Sequence, residues 1–106
     1  MDLEKFKEGV SLFNRGLFFE AHEVWEEIWL KDKKSETGRL LMGLIQWAAA
    51  LLKEKQGKGK PALSLAKSAL EKLERVNQKT ARSLGLDLEK WIDEIKQKTS
   101  PRRLHD

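Results

Sequence analysis

The residues in this chain that could do chemistry are concentrated between Gly16 and Trp29, in the stretch GLFFEAHEVWEEIW. An imidazole beside a carboxylate is a natural proton-transfer pair. His22 and Glu26 stand four residues apart, one helical turn, and are the candidate catalytic residues. Metal chemistry is the other option for a His-Glu pair. A zincin helix needs a second histidine at i+4, and this chain has Glu26 there. The other histidine, His105, lies near the C-terminal end. Two ligands on one helix are too few to hold zinc, so neither a metal nor a cofactor is expected. No nucleophile is evident either. The serines and threonines fall in loops, at caps or in the fourth helix, without an elbow motif.

A helix must position these groups. At about 100° per residue, Leu17, Phe18, Ala21, Val24, Trp25, Ile28 and Trp29 share one broad arc. Glu20, Glu23 and Glu27 take the opposite side, the ordinary amphipathic arrangement. His22 breaks the rule, since it sits beside Phe18 and Trp29 with Glu26 one turn on. Phe19 and Leu30 flank the pair. A histidine at the edge of an apolar face has a plain structural role as well. It can tie a carboxylate to a group on another helix and so fix how two helices cross. Trp25 and Trp29 read as core residues that could instead wall a pocket or a partner surface.

The flanking elements are helical too. Asp2 caps a first helix to about Phe13, with Leu3, Phe6, Val10 and Phe13 as its apolar stripe. Asn14-Arg15-Gly16 closes it, and so short a turn forces an antiparallel hairpin with the second helix. After a polar connection, Lys31 to Ser35, a third helix runs from about Glu36 to Gln56. Its centre, LLMGLIQWAAALL, is apolar on nearly every side and predicts a helix enclosed by neighbours. Arg39, Gln46 and Lys53 recur every seven residues as its polar seam. Gly57 to Lys60 reads as a flexible loop, with Pro61 opening a fourth helix. Residues 77–86 read as a break with a turn at Gly85. Asp87 caps a fifth helix carrying Leu88, Trp91, Ile92 and Ile95. The expected architecture is an all-α, compact multihelical bundle of about five helices built from antiparallel pairs. Residues 1–98 form one domain and 99–106 a flexible C-terminal tail.

Composition narrows the function classes. The chain has 106 residues and no cysteine, which excludes a disulfide framework and a thiolate site. That fits a reducing, cytoplasmic setting. The longest apolar run is too short to span a bilayer, so no membrane partner is expected. The net charge of +4 is a mild excess, and scattered Lys and Glu usually mark solvated helix faces. Nucleic-acid binding needs basic residues interleaved with aromatics. Along this sequence the aromatics cluster with glutamates and the lysines lie elsewhere, so no nucleic-acid partner is expected.

The run Phe13-Asn14-x-Gly16-x-Phe18-Phe19-Glu20-Ala21-His22-Glu23-x-x-Glu26-x-x-Trp29, followed by Gly43-Leu44-Ile45-Gln46 and Ala48-Ala49, resembles the prokaryotic family called domain of unknown function 309. The resemblance covers about residues 3–76. It implies a small multihelical domain and brings no activity, substrate or cofactor with it. The chain departs from the family pattern before helix four, where GKGKPA stands in place of an Asn followed by Gly-Ala.

The residues together favour a cytoplasmic binding module for a partner protein or small ligand. Its candidate ligand-binding residues are Glu23, Trp29, Arg39 and Gln46. The alternative is a small hydrolase- or isomerase-like enzyme using His22 and Glu26, with or without a metal. The apolar stripes of the first and fifth helices could also pack across a homodimer.

Overall fold

The computed structural model describes residues 1–100. Six helices follow one another: α1 (Leu3–Asn14), α2 (Phe18–Lys31), α3 (Glu36–Lys55), α4 (Gly59–Glu74), α5 (Gln78–Ser83) and α6 (Leu88–Thr99). No strand occurs among the described residues. The architecture is the expected all-α bundle with one helix more, because the stretch read as a break contains α5. The Asn77 side chain accepts a hydrogen bond from the Lys79 N–H, and this cap starts the short helix. Residues 101–106, most of the expected tail, lie outside the described range.

Local chemistry accounts for the element ends. Asp2, Ser35 and Asp87 each accept a hydrogen bond from a backbone N–H in the first turn of the following helix. Gly16 sits at φ 80° between α1 and α2, where a side chain would be strained. The fourth helix starts at Gly59, inside the expected loop, so Pro61 is its third residue. A proline fits there because the first four N–H groups of a helix have no partner within it.

Packing follows the pairing of neighbours. Phe6 meets Trp25, Phe13 meets Phe18, and Lys5 pairs with Glu27, so α1 and α2 run antiparallel. Helix α3 packs against both α2 and α4, and α6 packs against α4. Leu40, Leu41 and Leu44 are wholly buried. Adjacent residues point about 100° apart, so this helix is enclosed on more than one side, as its sequence predicts. Gly43 lets α4 come close, since a Cβ there would collide with Leu73.

Phe13 is the hub of the core. Its ring lies 5.0 Å from Phe18, 6.0 Å from Trp25, 6.5 Å from Trp47 and 4.8 Å from Trp91, centroid to centroid. Aromatic rings at such spacings attract beyond simple burial. This cluster ties α1, α2, α3 and α6 together, and it carries the aromatic side of α2.

Candidate functional site

Helix α2 has two faces toward the rest of the molecule. Ala21, Trp25 and Ile28 are buried in the core. Phe18, His22, Glu26 and Trp29 are half-buried along the edge that meets α3. Two fixed points set the register of that edge. At one end the Lys55 ammonium lies 5.1 Å from the Phe18 ring centroid and donates to the Gly16 carbonyl at 3.1 Å. At the other end Trp29 shares a groove with Arg39 and Met42. The helices are therefore antiparallel, with His22 and Glu26 on α2 and Gln46 on α3 between these points.

The His22–Glu26 pair is loose. Nε2 stands 3.9 Å from the carboxylate oxygen, beyond hydrogen-bonding distance. The two side chains are 27% and 42% exposed. His22 Nδ1 is buried without a hydrogen-bonding partner in the protein, and so is Gln46 Oε1. The hydrogen-bonded network that would make His22 a satisfied core residue is not formed. Among the described residues no cluster of three His, Asp or Glu side chains could hold a metal ion. Glu23 is exposed on the outer side of α2.

Trp29 and Arg39 come together at a more developed feature. They line an open groove of about 450 Å³ with Lys33, Gly38, Met42, Lys72 and Arg75. Four cations from the α2–α3 connection, from α3 and from the end of α4 face this space, and no carboxylate lines it. The Lys33 ammonium sits 5.0 Å from the Trp29 ring centroid, a cation–π contact. Lys72 donates to Ser68 at 2.9 Å. Arg39 and Arg75 each have a glutamate on their own helix, Glu36 at 3.6 Å and Glu71 at 3.5 Å. Both arginines are well exposed, and ion pairs of that kind hold weakly.

The groove wall is shaped by Gly38. A Cβ at this position would strike the backbone of Asp32 and Lys33. Its absence lets the connection lie flat against the first turn of α3. Ser35 pins the same connection by donating to Asp32 at 2.7 Å and accepting from the Gly38 N–H at 3.0 Å. Lys33 is thereby held beside the Trp29 ring. The groove contains neither His22 nor Glu26, so the candidate acid–base pair and the cationic pocket are separate places on one seam.

Displaced titrations belong to another place again. At the α1–α2 hairpin the Lys5–Glu27 hydrogen bond, and then their mutual charge, raise the lysine pKa and lower that of the glutamate.

The model of a family described as "Domain of unknown function (DUF309)" matches residues 6–65. The chain belongs to the DUF309 family. The matched segment runs from α1 into α4 and holds His22, Glu26, Trp29, Arg39 and Gln46. Lys72 and Arg75, the α4 half of the groove, lie beyond it. An uncharacterized protein of Aquifex aeolicus (strain VF5) is 36% identical over 69 residues. The match covers 65% of this DUF309 chain but only 21% of that relative's length. No solved structure matches the chain. No helix among the described residues is long and apolar enough to cross a membrane.

Sequence reasoning placed Trp29 and Arg39 among the ligand-binding candidates but missed Lys33, Met42, Lys72 and Arg75. One signal was available. Lys72 and Arg75 are three apart, as are Arg39 and Met42, so each pair shares a helix face. Only the α3–α4 packing shows that these faces meet.

Proposed function

We propose that the protein is a non-catalytic binding module that takes a small anionic ligand in the Trp29 groove. The observation that carries this reading is the convergence of Lys33, Arg39, Lys72 and Arg75 on one space that no carboxylate lines. Lys33 and Lys72 have no carboxylate partner among the described ion pairs, and the exposed pairs of Arg39 with Glu36 and Arg75 with Glu71 are weak, so a bound anion relieves the repulsion among the four cations. Arginine suits the task, since its planar fork grips carboxylates and phosphates with two hydrogen bonds. A volume of about 450 Å³ is within the range of small-molecule sites. Catalysis by His22 and Glu26 gains no comparable support. Their separation is 3.9 Å, and the groove does not reach them.

The test is a calorimetric titration with inorganic pyrophosphate at low ionic strength, on the wild type and on the double variant Arg39→Ala/Arg75→Ala. The expected result is saturable binding that the double variant weakens by about tenfold or more, the loss of roughly 1.4 kcal/mol. Absence of saturable binding in the wild type, or equal binding in the two proteins, would overturn the reading.

A further inference from the structure

Cations alone explain an anion, but they leave half of this groove unused. Its remaining wall is the Trp29 indole, the Met42 thioether chain and the bare backbone at Gly38. Trp29 is half-buried, not sealed in the core, and what faces its ring is the Lys33 side chain. A lysine is a long, exchangeable cover, because its stem turns freely and its ammonium is easily hydrated. A flat group can take its place on the ring while the ammonium swings toward the anion. Met42 supplies a soft, adaptable surface beside the indole. At about 450 Å³ the space also exceeds what a bare phosphate requires.

Resting on the anion-binding reading above, we infer that the ligand joins a flat aromatic ring to a phosphate group, the chemistry of a nucleoside mono- or diphosphate. The ring stacks on Trp29 against Met42. The phosphates lie among Arg39, Lys72 and Arg75, with Lys33 closing over them. The Gly38 and Ser35 contacts that hold the connection flat set the distance between the ring wall and the cations. Stacking of a base on an aromatic side chain strengthens binding by roughly five- to hundredfold, so the ring and the phosphates should contribute separably.

The experiment titrates the full chain with adenosine diphosphate, inorganic pyrophosphate and adenosine at low ionic strength, using the wild type, Trp29→Ala and Trp29→Leu. The leucine variant keeps apolar bulk without the ring and serves if the alanine variant is poorly folded. The expected result is that the wild type binds the diphosphate at least tenfold more tightly than pyrophosphate. Loss of the ring should bring the two affinities together while pyrophosphate binding stays within about twofold. Equal affinities in the wild type would overturn the ring inference and leave the anion-binding reading standing. Failure of every anion to bind would overturn both. A single-stranded oligonucleotide binding more than tenfold tighter than the diphosphate would overturn the small-molecule inference and make the groove part of a polymer track.

Discussion

Trp25 and Trp29 stand one turn apart on α2, the first enclosed by the core and the second packed on its edge. Trp25 is wholly buried, its indole N–H donates to the Phe6 carbonyl at 3.2 Å, and its ring fills the space that Gly9 leaves open. Trp29 lines a solvent-open groove with a lysine beside its ring and three further cations around it. At Trp25 the indole, the Phe6 carbonyl and the Gly9 backbone close on one another and join α1 to α2. On the Trp29 side apolar and cationic surface lines an open groove among the described residues. A side chain enclosed by the core and one open to a groove are thus four residues apart on the same helix.

Trp25→Ala removes a buried ring with a satisfied N–H, and it should cost about 3–5 kcal/mol of stability in urea unfolding. Gly9→Ala should come next, costing about 1–3 kcal/mol or more. Alanine is the better helix former by about 1 kcal/mol, but its Cβ would overlap the enclosed Trp25 ring, which has nowhere to move. A Gly9→Ala protein as stable as the wild type would show that the α1–α2 contact gives more readily than described.

His22 lies between these extremes. Its Nδ1 has no hydrogen-bonding partner in the protein and Glu26 is too far for a hydrogen bond. His22→Leu should therefore be neutral or stabilising within about 1 kcal/mol, since it removes an unsatisfied polar atom from a half-apolar site. A loss well above that in thermal unfolding would mean that His22 holds α2 and α3 together. The smallest effect concerns pH and the exposed Lys5–Glu27 pair. The Glu27 carboxyl titrates lower in the folded chain. Its stabilisation is present above the ordinary carboxylate range and is lost as pH falls through the depressed value. For Lys5 the pKa is raised, so its contribution is present below the ordinary lysine range and is lost as pH rises through the raised value. Melting temperatures of the wild type and Glu27→Gln should converge at the acid end.

Much of the fold was legible because helices write themselves locally. The caps at Asp2 and Asp87, the turns at Gly16 and Gly85, and the enclosed centre of α3 are set by residue types over a few positions. Helix α5 was not legible. It has six residues and too little apolar periodicity to stand out, and it exists because Asn77 caps it and Ala81 packs in the core. The candidate site is only partly legible in the sequence. His22 and Glu26 drew attention by residue type, yet geometry separates them from the groove. Trp29 and Arg39 were candidates, whereas Lys72 and Arg75 looked like ordinary solvated residues of another helix. Aromatic and basic side chains meet in space at Phe18, under Lys55, and at Trp29, where Lys33 of the α2–α3 connection covers the ring and α3 and α4 bring Arg39, Lys72 and Arg75 to the same groove. The approach of Lys72 and Arg75 is a property of helix packing, which no local pattern records.

The most direct test of this division of α2 is a paired measurement on Trp29→Ala, with stability by urea unfolding and affinity for adenosine diphosphate by calorimetry. Trp29 is partly buried against the core, so the account predicts a stability loss of about 1–2 kcal/mol, clearly below that of Trp25→Ala, together with a loss of affinity of tenfold or more. A stability loss approaching that of Trp25→Ala, or affinity equal to the wild type, would contradict it, because Trp29 would then belong to the fold and not to a site.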